Sequence, residues 1–155
     1  AEFVTMLSRL SGDVPGQGSA RFRDVAQDAW YASAVAWAVE NGITTGTSET
    51  TFAPDAPISR QDMAVMLFRC TERMGIDTTV RGNLAAYSDA SEVSAYAQPA
   101  MSWAVGTGLL RGIRSGSASI LSPWGGTTRA QAATVLLRWC TWAGQPEARE
   151  LLGVK

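Results

Sequence analysis

Arg60 and Arg129 each stand one residue after a hydroxyl, in Ile58-Ser59-Arg60-Gln61 and Thr127-Thr128-Arg129-Ala130. Apolar residues at helical spacing follow both, so each guanidinium falls at the first position of a helix. The helix dipole prefers negative charge there, and an uncompensated cation costs about a few tenths of a kcal/mol. Two compensations fit. One is an ion pair with a carboxylate, Asp24 and Asp89 being the candidates. The other is an anion site, in which helix N-terminal amides and a guanidinium cradle a carboxylate or phosphate. Both can operate together, the aspartate orienting the arginine while the arginine meets a ligand. Trp30 with Tyr31, and Tyr96 in the next copy, follow the aspartates by a few residues. Flat rings beside a charged pocket suit sugar faces, and they also serve as packing devices at helix starts. Lys155 is the only lysine among the 13 basic residues, a bias toward fork-shaped recognition of planar anions or simply a trait of composition.

Other chemistries drop out. The chain has no histidine, which removes Ser-His and Cys-His nucleophiles and imidazole-bound metals. An enzyme would have to rely on Asp24, Asp28, Asp55, Asp62 and Asp89, and these form no unique asymmetric pair of the kind a glycosidase needs. Recurring equivalents instead suggest several similar binding sites, so the reading is a binding module without catalytic residues, cofactor or metal. Cys70 and Cys140 are too few for a structural zinc site and read as two thiols near helix ends, a single bridge between them being the alternative. A net charge of −1 argues against nucleic acid as a partner. No apolar run is long enough for membrane insertion.

The elements that would position these residues come from a repeat. Phe22-Arg23-Asp24-Val25 returns as Tyr87-Ser88-Asp89-Ala90, and Ala36-Trp37-Ala38-Val39 as Ser102-Trp103-Ala104-Val105. Phe52-Ala53-Pro54 returns as Leu121-Ser122-Pro123, with three residues inserted in a small, glycine-rich stretch from Arg114 to Ser119 that reads as a surface loop. Glu2 to Leu10 aligns with Asp62 to Cys70 and with Gln131 to Trp139, so the chain opens in the middle of a repeat. The expected organisation is a half repeat at 1–12, a second repeat with linkers at 13–80, a third at 81–144 and a tail at 145–155. Pro146 to Leu152 in that tail could form a short helix.

Each full repeat reads as helix, long loop, helix. The first helix is expected from about Trp30 to Glu40, with Trp30, Ala34, Trp37 and Ala38 on one face and Asn41-Gly42 as a left-handed stop. The second starts at a capping box, Ser59-x-x-Asp62 or Thr128-x-x-Gln131. Its stripes are Met63, Met66, Leu67, Cys70 and Ala132, Val135, Leu136, Trp139, with Phe3, Met6, Leu7, Leu10 in the half repeat. Three equivalent stripes predict three helices about a common axis: an all-α fold of helix–loop–helix repeats in a pseudo-threefold bundle. With half a repeat missing, apolar surface is expected on Phe3, Met6 and Leu7. That predicts either self-association with a second copy or membership of a longer chain, with residue 1 a truncation or processing point.

Phe22-x-Asp24-Val25, Trp30-Tyr31, Asn41-Gly42-Ile43-x-x-Gly46, Phe52-x-Pro54-Asp55, Ile58-Ser59-Arg60 and Met63 to Arg69 together resemble an S-layer homology repeat. Tyr87-Ser88-Asp89 through Trp103-Ala104-Val105 and Thr128-Arg129-Ala130-Gln131 resemble the last repeat of a triplet. The resemblance covers about residues 1–143. It implies a module with grooves between repeats that bind secondary cell-wall polysaccharide, often pyruvylated, or peptidoglycan, at the surface or surface layer of a Gram-positive cell. Carried over by position, the implied ligand-binding residues are Arg60, Arg129, Asp24, Asp89, Trp30, Tyr96, Gly46 and Gly112. A protein–protein assembly module is the alternative.

Overall fold

The computed structural model describes residues 1–13 and 21–144. The chain forms two compact units, residues 1–56 and 57–155. The tail helix expected at Pro146–Leu152 lies outside the described residues.

In the first unit, α1 (Glu2–Ser11) packs against α2 (Ala32–Glu40). Phe3, Leu7 and Leu10 are buried and Met6 is half-buried. This corrects the expectation of exposed apolar surface on Phe3 and Leu7, because α1 has α2 to pack on. The second helix begins two residues later than expected. Tyr31 occupies the N-cap without a side-chain hydrogen bond, so nothing local fixes an earlier start. Trp30 therefore leaves the predicted apolar face and stands 62% exposed, while Ala34, Trp37 and Ala38 are buried. The helix stops as expected, with Gly42 in the left-handed region at φ 67°. Trp37 Nε1 donates to Asp13 Oδ2 at 3.1 Å. Beyond it, buried Ile43 and Phe52 pin the long loop, Phe52 lying 5.7 Å from the Phe22 ring.

The second unit holds α3 (Arg60–Arg73), three 3-10 turns (Leu84–Ala86, Ala90–Glu92, Ala95–Ala97) and α4 (Gln98–Gly106). Then come β1 (Ile113–Ser115), β2 (Ala118–Ile120) and α5 (Arg129–Trp142). Met63, Leu67, Met101, Trp103, Leu121, Leu136 and Trp139 are fully buried and form its core. α3 packs on α4, and Trp139 Nε1 of α5 donates to Thr71 Oγ1 of α3 at 2.8 Å. Cys70 and Cys140 are both buried thiols, the second pushed up to about 11 by burial.

The fold is helix-rich rather than all-α. The segment read as an inserted loop pairs as an antiparallel hairpin, Ile113 opposite Ile120 and Ser115 opposite Ala118. Gly116, at φ 62°, supplies the positive φ that its two-residue turn requires. Both strands are largely solvated, so no apolar alternation marked them in the sequence.

Candidate functional site

Each repeat loop is held by one aspartate. Asp24 accepts from Phe52 N at 2.9 Å and Ala53 N at 2.7 Å. Asp89 accepts from Leu121 N and Ser122 N, both at 2.7 Å. Ala53 (φ 58°) and Ser122 (φ 50°) adopt the left-handed conformation rare for residues with a Cβ. The carboxylates stabilise that bend by taking two successive amides. The Phe52 amide, first among these contacts, holds the Asp24 carboxyl below the usual carboxylate range. The two loop glycines make room for the aromatic ring of the same motif. A Cβ at Gly46 would lie 2.5 Å from the Phe22 ring, and one at Gly112 would lie 2.5 Å from Tyr87.

Arg60 opens α3 and is only 7% exposed. Its Nε donates to Leu121 O at 2.7 Å and its Nη2 to Arg111 O at 2.8 Å. Arginine and Asp89 therefore grip Leu121 from opposite sides, one at its carbonyl and one at its amide. Burial lowers the Arg60 pKa, and the charge of Asp89 raises it in part. No ion pair joins Arg60 to Asp89; the two act on one loop. Nη1 has no protein partner among the described residues. The α3 amides do not form the open cradle expected of a helix start: Arg60 N donates to Gly125 O and Gln61 N to Pro123 O, each at 3.0 Å.

The rest of the first turn is polar. Ser59 Oγ accepts from Asp62 N and donates to Asp62 Oδ2 at 2.6 Å. Asp62 is too short to reach back to the N-cap backbone, so its box closes side chain to side chain. In α5 the longer Gln131 completes the full box with Thr128. Gln61, fully buried, donates to Ser94 Oγ and Tyr96 Oη and accepts from Ser94 N. Tyr96 Oη donates to Asp62 Oδ1 at 2.7 Å while the residue stays 56% exposed. Burial of its hydroxyl end, then the Asp62 carboxylate, pushes the Tyr96 phenol up to about 12.

Arg60, Asp89 and Tyr96 thus meet around the start of α3, with Gly112 next to the Arg111 carbonyl that Arg60 holds. Arg129, equally first in its helix, is exposed. Asp24, Gly46 and Trp30 belong to the first unit. Two residues of the α3 site escaped the sequence reading. Gln61 breaks the repeat, since Ala130 is its counterpart, and Trp124 replaces Asp55 at the same offset that relates Arg129 to Arg60. Trp124 is 62% exposed, its indole donating to Glu92 O at 3.1 Å.

The sequence profile of the S-layer homology domain matches residues 21–64 and 86–133. The chain is 35% identical over 138 residues to the Surface-layer 125 kDa protein of Lysinibacillus sphaericus, covering 89% of this chain and 11% of that protein. It is 31% identical to an Endoglucanase of Bacillus sp. (strain KSM-635), covering 88% of this chain and 14% of the enzyme. The chain thus spans about a tenth of the length of these curated relatives. Among solved structures, an undecaheme cytochrome from the S-layer of Carboxydothermus ferrireducens superposes with TM-score 0.53 at 21% identity, over 94% of this chain and 17% of that one. That likeness concerns the fold alone. The chain belongs to the S-layer homology domain family, a family of non-catalytic cell-wall anchoring modules that places it at the cell surface or surface layer of a Gram-positive bacterium.

Proposed function

We propose that this chain anchors a larger protein to the wall by binding an acidic, pyruvylated secondary polysaccharide. The observation that carries this reading is the pairing of cation and exposed ring at the start of α3. Arg60 keeps Nη1 without a protein partner among the described residues, and Tyr96, tied to Asp62 two residues on, stays more than half exposed. A guanidinium suits the carboxylate of a ketal, and a flat ring suits a sugar face. Arg129, exposed at the same position of α5, is the second carboxylate contact. In the first unit Trp30, Asp24 and Gly46 take the corresponding parts of ring, loop clamp and loop glycine. Asp24 and Asp89 act as positioning residues, and Gly46 and Gly112 clear space for the motif ring.

The test is sedimentation of the chain with purified sacculi, intact or stripped of secondary polysaccharide. Binding should be confined to intact walls, and Arg129→Ala should weaken it by about tenfold or more, the worth of a charge-assisted hydrogen bond. Undiminished binding to stripped walls would assign the ligand to peptidoglycan instead. Absence of binding to intact walls would sink the glycan reading.

A further inference from the structure

Trp124 occupies a loop position where the preceding repeat has Asp55, an ordinary exposed carboxylate. A large aromatic there needs a reason, because the core gains little from it: the residue is 62% exposed. Its placement is nonetheless tightly fixed. On one side Pro123 O accepts from Gln61 N, and on the other Gly125 O accepts from Arg60 N, each at 3.0 Å. The indole N–H is held by Glu92 O at 3.1 Å. Backbone and ring edge are therefore both anchored, while most of the residue stays exposed.

We propose that Trp124 is a sugar-stacking residue that forms an aromatic shelf with Tyr96 and determines which glycan this face accepts. This rests on the glycan-binding reading above and deepens it. Gln61 links the two: its side chain donates to Tyr96 Oη, and its backbone N–H donates to the carbonyl of Pro123, the residue before Trp124. Both rings therefore border the start of α3. The chemistry around them selects that occupant. A pyranose needs a flat apolar surface for its C–H face and acceptors at its rim for hydroxyls, and the Asp62 carboxylate stands at the Tyr96 edge. A partner helix or a lipid surface needs a contiguous apolar patch. Here the chain neighbours of the rings are Ala95, Ala97, Pro123 and Gly125, none of them a large apolar side chain. Because the shelf is already ordered before binding, contact with it carries little entropic penalty.

The experiment is calorimetric titration of the chain with oligosaccharides released from secondary wall polysaccharide, and separately with glycan fragments of peptidoglycan. Trp124→Ala should weaken binding about tenfold. Trp124→Phe, which keeps a ring, should stay within about threefold of the parent. Thermal midpoints should fall only slightly and alike in both, by the one indole hydrogen bond to Glu92 O, since the side chain is mostly solvated. Loss in one set of fragments supports the shelf and identifies its source. Undiminished affinity of Trp124→Ala, with the parent chain binding, overturns the shelf alone. If the parent binds neither set, the glycan reading fails and the shelf fails with it.

Discussion

Arg60 and Arg129 occupy one position of a repeated motif, each directly after a capping hydroxyl, yet one is buried and the other exposed. The repeat sets where each guanidinium leaves the backbone. What lies opposite is set by chain far away in sequence, and opposite Arg60 run the carbonyls of Arg111 and Leu121. The same signature residue is thereby a loop clamp in one copy and a surface cation in the other. Arg60→Ala should lower unfolding free energy by about 2–4 kcal/mol, because two carbonyls lose a charged donor and a buried void forms. Arg129→Ala should cost less than about 1 kcal/mol, as surface charges do. Denaturant unfolding of both variants checks the pair, and equal losses would break the contrast. Wall binding should rank them on a different axis, Arg129→Ala losing affinity at nearly unchanged stability.

The aspartate clamps sharpen the same comparison. Asp89→Ala would strand two amides of a loop whose Leu121 is fully buried, at a cost of about 2–3 kcal/mol by denaturant unfolding. Asp24 grips the corresponding loop of the first unit from an exposed position, and its test is acid. Its folded pKa lies below the unfolded value, so its contribution is full above the ordinary carboxylate range and is lost as pH falls through the folded value. Thermal midpoints measured down through that window should fall more gently in Asp24→Asn than in the parent. An identical acid profile in both would show that the clamp does not need its charge.

These contrasts also mark how far sequence reaches. The caps at Ser59 and Thr128 and the stripes of α3 and α5 were legible because their partners lie within four residues. The motif arginines, aspartates and glycines were legible as repeat positions. Their uses were not, since Arg60 finds its acceptors 51 and 61 residues away. The hairpin at Ile113–Ile120 was invisible for a different reason: two three-residue strands with no fully buried side chain leave no apolar period. Trp30 was misread because its helix start carries no capping side chain. Trp124 offered a signal that went unread, an aromatic replacing the aspartate of the other copy.

The two repeat tryptophans offer a smaller test. Trp37 Nε1 donates to Asp13, whereas buried Trp103 Nε1 has no partner among the described residues and sits between Phe68 and Trp142, each ring 5.5 Å away. Changing either to Phe removes similar volume, but only Trp37→Phe breaks a hydrogen bond. Trp103→Phe also removes an orphaned donor. Trp37→Phe should therefore be the more destabilising, by about 1 kcal/mol in denaturant unfolding. The reverse order would mean that the Trp103 indole is satisfied in solution, as by a buried water.

The smallest effect concerns Tyr96, which differs from its counterpart Trp30 in being wired into a helix cap. Its phenol is pushed up from the ordinary value of 10 to about 12, first by burial of the hydroxyl end and then by the Asp62 carboxylate. The folded value exceeds the unfolded one, so the stability tied to the neutral phenol is full below pH 10 and is lost as pH rises toward about 12. An absorbance titration of the phenolates should show one late step in the native chain that disappears in Tyr96→Phe. At neutral pH that variant loses hydrogen bonds at a solvated edge, a cost of about 0.5–1 kcal/mol. Because Phe keeps the ring, glycan affinity should change far less than in Trp124→Ala. A large loss of affinity on removing the hydroxyl alone would instead make the Tyr96–Asp62 pair, not the ring face, the feature that the sugar reads.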